Sequence, residues 1–431
     1  MKIAILGYDT EGRSSYDYFA AQGHELTICD QNADLVVPEG ASAVLGERYL
    51  DDLDRFDVLV RTAGLPPRLI LEKNPTVASK VTTQINEFLR VAPTKNVIGV
   101  TGTKGKGTTS TLVTRMLEAA GKTVFLGGNI GVPPLSFLGE LGEDSWVVLE
   151  LSSFQLIDLQ HSPHIAVCVM VVPEHLNWHT DLNEYLTAKA QLFAHQTASD
   201  VAIYFAENQT SQQIASTGQA HKIPYYAPPG ATIDNGCISI SGQVICRTDE
   251  LQLLGTHNWQ NACAAVTAVW QVTQDVAALR SVLTTFSGLP HRLELVRELT
   301  GVKYYDDSFG TTPETAIVAL QAFNQPKVII LGGSDKGASY DDLAQAVASG
   351  NVRKALLIGD ESGKIHTALH KAGFSAFEAG GDTMEEIVGK ARDAAAPGDI
   401  VLLSTGCASF GMFQNYKDRA AQFIQAVQAL A

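Results

Sequence analysis

Apolar residues in this chain gather in short runs rich in Val, Ile and Leu, separated by stretches with helix-compatible patterns. The runs are KIAILG, HELTICD, DVLVRTAG, VIGVTGT, TVFLGG, SWVVLEL, IAVCVMVV, VAIYF, KVIILGG, KALLIG and DIVLLSTG. Runs this short and this continuously apolar read as strands buried on both faces. Their alternation with helices predicts parallel sheets covered by helices on either side. One stretch differs: in DNGCISISGQVICR, within residues 227–253, DNG and SG turn signals separate alternating residues. That pattern predicts a small antiparallel excursion.

A chain of 431 residues exceeds what one hydrophobic core organises, and turn formers mark two breaks. RVAPTKN at 90–96 precedes a new strand, and SGLPHRLE at 287–294 follows a helical pattern. Three α/β domains are expected. Residues 1–91 are Rossmann-like, 92–287 form a P-loop ATPase-type domain on a mostly parallel sheet, and 288–431 are Rossmann-like again.

Charge and composition narrow the function. A formal net charge of -15 argues against a large nucleic-acid footprint, which needs clustered Lys and Arg, so an anionic substrate must be met by local cations. The six cysteines show no CxxC spacing and mostly lie in apolar runs, so neither zinc nor disulfides are implied. No segment approaches the roughly 18 apolar residues of a membrane span. MKIAILGYDTEGR opens on a strand-like run rather than a basic segment and a long apolar stretch, so a soluble cytoplasmic protein without a signal peptide is expected.

The strongest chemical signal is VIGVTGTKGKGTTSTLVTRML. A strand enters a glycine loop that leaves as an amphipathic helix. Gly102, Gly105 and Gly107 let backbone N–H groups turn toward phosphate oxygens, the helix N-terminus adds its positive dipole end, and Lys106 supplies a mobile cation. A nucleoside triphosphate site follows, although Val100 stands at the first glycine of the strict GxxxxGK[ST] form. Downstream, VVLELSSFQL ends a strand on Glu150, where a carboxylate can hold Mg²⁺ or cap the next turn. His175 stands just past the strand HIAVCVMVV. Lys189, on residue type alone, reads as a solvated helix lysine. In LLGTHNWQNACAAVTAV, His257, Asn258 and Asn261 open an Ala-rich helix, and asparagines there either cap the helix or read an adenine edge. LGYDTEGRSS after the first strand, with Asp30 after the second, is a dinucleotide-like layout without GxGxxG spacing.

In family order, and over nearly the whole chain, these motifs resemble the Mur ligases. The loop resembles their GTxGK loop, PEHLNWHTDLNEYLTAKAQLF their DHxDR stretch, GTHNWQN their GxHNxxN motif, and SGLPHRLE their linker to the last domain. ELSSFQL and CASFGMF are close to the forms found in members that add D-glutamate. The resemblance implies an amide-forming ligase that takes ATP, two Mg²⁺ ions, UDP-N-acetylmuramoyl-L-alanine and D-glutamate, acts as a monomer, and passes through an acyl phosphate. Gly102, Thr103, Lys104, Gly105, Lys106, Gly107, Thr108, Thr109, Asn261, Arg292 and Asp307 would bind ATP. Thr108, Glu150, His175 and Lys189, as a carbamate, would hold the metals. Gly12, Arg13, Ser14, Asp30, Gly64, Asn129, Ser152 and Gln155 would receive the precursor, and Thr311, Lys336, Ser409 and Tyr416 the D-glutamate. Lys106, His175, Lys189, Arg292 and Lys336 would carry the catalysis. Three segments depart from the family pattern. DSFGTT replaces DSKATN, so Phe309 stands where a lysine is usual; PEHLNWH lacks the Asp and Arg that follow the histidine; and Tyr416 stands where phenylalanine is usual. A folylpolyglutamate synthetase, which lacks the N-terminal domain, a sister Mur ligase of other amino-acid specificity, and a non-catalytic nucleotide-binding relative are the alternatives.

Overall fold

The structure, a computed structural model, describes residues 1–174, 178–253, 255–334 and 338–431. His175 and Lys336, two of the expected site residues, lie outside these. The chain forms two compact units, residues 1–252 with 256–286 and residues 253–255 with 287–431.

Two parallel sheets build the first unit. The strands of one run in spatial order Ser42–Leu45, Glu25–Asp30, Lys2–Leu6, Val58–Arg61, Val81–Thr82. Those of the other run His221–Tyr225, Val201–Phe205, Ile165–Cys168, Val97–Thr101, Trp146–Glu150, Val124–Gly128. The predicted excursion is a three-stranded antiparallel sheet, Thr232–Asp234, Cys237–Ile240 and Gln243–Arg247. The second unit has a six-stranded sheet, Glu294–Leu299, Val302–Asp306, Ile400–Leu403, Lys327–Gly332, Val352–Ile358, Phe377–Ala379, in which only the first strand is antiparallel to its neighbour.

Every apolar run named from the sequence folds as a strand, and the cores show why the runs are continuous. In Lys327–Gly332, Ile329 and Leu331 enter one core while Val328 and Ile330 enter another on the opposite face. Lys2–Leu6 divides likewise, Ala4 and Leu6 against Ile3 and Ile5. Alternate side chains point to opposite faces, and both faces are covered. One run is longer than its strand: IAVCVMVV pairs only through Cys168. Beyond it the backbone turns to the glycine loop, where Met170 O accepts from Thr103 N–H at 2.7 Å and Val172 N–H donates to Thr103 Oγ1 at 3.0 Å.

Within the first unit the two sheets are fastened through Arg61, the last residue of its strand and 1% exposed. Its guanidinium donates to both carboxylate oxygens of Asp158 at 2.9 and 2.7 Å and to the carbonyls of Thr62, Leu65 and Phe154. All five N–H donors are therefore engaged, the condition for burying a guanidinium.

Candidate active site

The phosphate-type loop leaves Val97–Thr101, the strand flanked by Ile165–Cys168 and Trp146–Glu150. Its functional side chains thus sit at the carboxyl ends of adjacent parallel strands, where open α/β sheets bind ligands. Two glycines are required by both space and backbone. Gly102 has φ +145°, and a Cβ there would lie 2.4 Å from Val169 Cγ2. Gly105 has φ +94°, and its Cβ would meet Asn261 Oδ1 at 2.1 Å. The second fact brings the expected adenine-reading asparagine against the loop. Asn261 Nδ2 also donates to Asn258 Oδ1 at 3.0 Å.

After Gly105 the helix Lys106–Ala119 begins without a side-chain cap, leaving its first N–H groups to a ligand. Lys106 Nζ reaches back to the carbonyls of Gly102 and Thr103 at 3.1 and 3.0 Å. Thr103 turns its hydroxyl inward, bonding to Val172 O and to Tyr185 OH at 2.6 Å, and Lys104 pairs with Glu174. Thr108 is buried, and the buried hydroxyl of Thr109 has no hydrogen-bond partner among the described residues.

Lys189 is not a solvated helix lysine. It is 2% exposed, donates to Gly102 O at 2.7 Å, and lies over the Tyr185 ring. Burial, with Lys106 acting in the same direction, lowers its ammonium to about 7. Glu150 is 3% exposed, takes the Asn129 amide at 2.8 Å, and makes no ion pair among the described residues. A buried carboxylate without a cation partner suits a hard metal ion, so the donors present fit Mg²⁺.

Ser152 and Gln155 form a reciprocal cap on a short helix, with Ser152 N–H donating to Gln155 Oε1 at 3.0 Å. Gln155 Nε2 donates to Glu11 at 2.6 Å, and Glu11 accepts from Ala63 N–H, so this segment is tied to the first sheet. Arg13 and Ser14 line a cavity of ≈ 520 Å³ with Tyr8, Asp9, Pro133 and Ser136. Gly12 is packed so that a Cβ would lie 2.0 Å from Gly7 O, Asp30 accepts from Tyr8 N–H, and Gly64 O accepts from the Trp178 ring. The sequence had not marked Tyr8, Asp9 or Ser136. Asp9 was readable as the helix N-cap it is, whereas Ser136, brought in by its bond to Ser14 at 2.9 Å, carries no local signal. His179 was also missed; it is 2% exposed and bonds to Ser153 and Glu184.

In the second unit, loops leaving the adjacent strands Val302–Asp306 and Ile400–Leu403 carry Asp307 and Thr311 on one side and Ser409 on the other. Burial raises the Asp307 carboxyl to about 6, against the opposing effect of the Ser404 hydroxyl 2.6 Å away. Buried Arg419 joins the two loops, donating to Ser308 O and Cys407 O. Tyr416 opens the last helix, capped by Asn415.

A parallel-sheet unit carrying a phosphate loop, followed by an α/β unit with a buried acid at its strand ends, is suited to a nucleoside triphosphate-using enzyme, and matches to known families show that its class is the ATP-dependent ligases of the Mur type. Residues 100–269 match the Mur ligase middle domain, and residues 291–407 match the Mur ligase glutamate ligase domain. The chain belongs to the Mur ligase family. The UDP-N-acetylmuramoylalanine–D-glutamate ligase of Symbiobacterium thermophilum is 36% identical to it, over 100% of this chain and 98% of that protein. The enzyme of the same name from Clostridium kluyveri is 34% identical over 99% and 96%. Among solved structures, UDP-N-acetylmuramate–alanine ligase of Thermotoga maritima superposes with a TM-score of 0.60 at 16% identity, covering 100% of this chain and 99% of that one. A MurF from Acinetobacter baumannii gives 0.61 at 17%, covering 98% and 93%. No helix among the described residues is long and apolar enough to cross a membrane.

Proposed function

We propose that this protein joins the carboxylate of UDP-N-acetylmuramoyl-L-alanine to the amine of D-glutamate, converting ATP to ADP and phosphate, in the peptidoglycan precursor pathway of the cytoplasm. The observation that carries the reading is the convergence, at one set of strand ends, of the glycine loop, Asn261, buried Glu150 and buried Lys189. The names of the full-length relatives support the acceptor and the amino acid.

In this reading residues 1–91 hold the precursor, with Arg13 and Ser14 at its diphosphate; residues 92–287 hold ATP; and residues 288–431 hold the amino acid. The backbone of residues 102–109 and Lys106 receive the phosphates, Asn261 reads adenine, Asp307 the ribose, and Arg292 a phosphate. Lys336, Thr311, Ser409 and Tyr416 receive D-glutamate. Thr108, Glu150, His175 and carbamylated Lys189 would hold Mg²⁺, which when bound offsets negative charge on the phosphates. An ammonium at Lys189 would repel such an ion, whereas a carbamate supplies two oxygens. A lysine lowered to about 7 is half neutral there, and the neutral amine is the form that adds CO₂.

The precursor carboxylate attacks the γ-phosphorus and ADP leaves; the deprotonated D-glutamate amine then attacks the acyl carbon and phosphate leaves. Lys106 and Arg292 offset the repulsion between carboxylate and phosphate, two anions that must meet. The deciding assay is phosphate release from ATP with UDP-N-acetylmuramoyl-L-alanine and a panel of amino acids. Release is expected with D-glutamate; release that needs a different amino acid, or none, would overturn the assignment.

A further inference from the structure

Arg292 is close enough to Asp307 to lower its carboxyl electrostatically, yet among the described residues its guanidinium makes no hydrogen bond to Asp307, Asp306 or Glu294. Each is engaged elsewhere. Glu294 accepts from His291 N–H at 2.8 Å. Asp306 is 2.8 Å from His291 Nδ1 and accepts from Ser308 N–H at 2.9 Å. Asp307 accepts from Leu293 N–H at 3.2 Å and from the Ser404 hydroxyl at 2.6 Å. The guanidinium instead lies over the ring of Phe309, its Cζ 5.0 Å from the centroid.

Although 41% exposed, Phe309 is fixed from two sides. Its N–H donates to His291 O at 2.9 Å, so the residue preceding Arg292 holds the backbone that carries the ring. The Tyr416 ring meets it at 5.5 Å and 89°, edge to face. Tyr416 is itself edge-on to His291 at 6.3 Å. Both departures from the family pattern in this unit therefore fall in one aromatic cluster beneath Arg292.

We propose that Phe309, braced by Tyr416, is a positioning residue that holds the Arg292 guanidinium extended while leaving its N–H donors unengaged for an ATP phosphate. A carboxylate partner would occupy those donors bidentately and would have to be broken before a phosphate could bind. A π face attracts the cation without using any donor. A lysine at position 309 would place a like charge where the ring now meets Arg292 and repel the guanidinium from that position. The ring is thus a working substitute and not merely a missing charge.

This inference rests on the reading of Arg292 as a phosphate contact. Its test is ATP kinetics of the full chain and of Phe309→Leu, Phe309→Trp, Arg292→Ala and the Arg292→Ala/Phe309→Leu double variant. Phe309→Leu should raise KM for ATP about 2–5-fold, the scale of an exposed cation–π contact, with KM for D-glutamate unchanged. Phe309→Trp, which keeps the π face, should stay within about twofold of the parent. Once Arg292 is alanine, Phe309→Leu should have no further effect. An equal effect of Phe309→Leu in both backgrounds, or a tryptophan as damaging as the leucine, would show that the ring only fills space. Titration calorimetry of ATP against the same four variants and the parent reads the same coupling without the acceptor. Failure of the ligase reading is recognised separately, by the absence of D-glutamate-dependent phosphate release.

Discussion

Lys106 and Lys189 are two lysines at one glycine loop that require opposite tests. In the proposed mechanism Lys106 acts as a cation, so Lys106→Ala should lower turnover by at least ~100-fold, the scale of losing one electrostatic stabiliser; activity within a few-fold of the parent would remove the loop from the mechanism. Lys189 is expected to act as an oxygen donor. Lys189→Ala should lose most activity, and acetate, which fits two oxygens into the vacated volume, should restore part of it while leaving Lys106→Ala unrescued. Equal rescue of both variants would refute the carbamate. The shift also sets a pH dependence. Because the folded-state value of about 7 lies below the ordinary 10.5, the folded protein releases this proton first. The associated stability is complete above the unfolded value and is lost as pH falls through about 7. Because only the neutral amine adds CO₂, activity of the parent at limiting bicarbonate should decline as pH falls below about 7 and recover in part when more bicarbonate is added. Lys106, the loop glycines and Glu150 were legible because their chemistry is local. The burial of Lys189 was not, since it depends on Gly102 and Tyr185, and Tyr185 lies 82 residues along the chain from Thr103, to which it bonds.

Strands differ in how openly the sequence declares them. Of the parallel-sheet strands, all the interior ones except Val302–Asp306 were read as apolar runs, whereas Ser42–Leu45, Val81–Thr82, His221–Tyr225, Glu294–Leu299 and Phe377–Ala379 were not, and these five are sheet edges. An edge strand buries one face at most, is short, and carries polar or charged residues that discourage further pairing. Glu294–Leu299, read ELVREL, is half exposed along its length for that reason. At the loop that joins Val97–Thr101 to its helix the constraint is steric. Gly105→Ala adds a left-handed alanine and sets its Cβ 2.1 Å from Asn261 Oδ1. KM for ATP should rise at least about 10-fold, since strain of this kind is worth roughly 1–3 kcal/mol and the asparagine must move as well. Gly121→Ala is the control. Gly121 has φ +78° and nothing within 4 Å of the added Cβ, so it carries backbone strain alone and should cost stability of about 1 kcal/mol without changing KM. If both variants shift KM alike, loss of the fold rather than the clash at Asn261 is the cause.

At the scale of the whole chain, the sequence suggested three domains, each with a sheet, and each of the three segments has its sheet; by contacts the first two lie in one compact unit. What joins those two is carried by side chains that no pattern of apolar runs displays. Arg61 and Asp158 are 97 residues apart, and the bonds of Asn86 to Asp158 O and to Gln160 N–H reinforce the same seam. The second unit has its own cores, on both faces of its sheet. Removing the guanidinium should therefore act on one unit only. Arg61→Ala leaves Asp158 and three carbonyls without their donor, and losing one member of a buried pair is worth about 3–5 kcal/mol. Hydrogen exchange should show faster exchange in the strands of both sheets of the first unit, Lys2–Leu6 and Val97–Thr101 included, while Lys327–Gly332 and Ile400–Leu403 keep parental rates. Acceleration confined to the first sheet would mean that the two sheets of that unit are independently stable. Acceleration that extends equally into Lys327–Gly332 would mean that the chain unfolds as one cooperative body, and the division into two units would not describe its energetics.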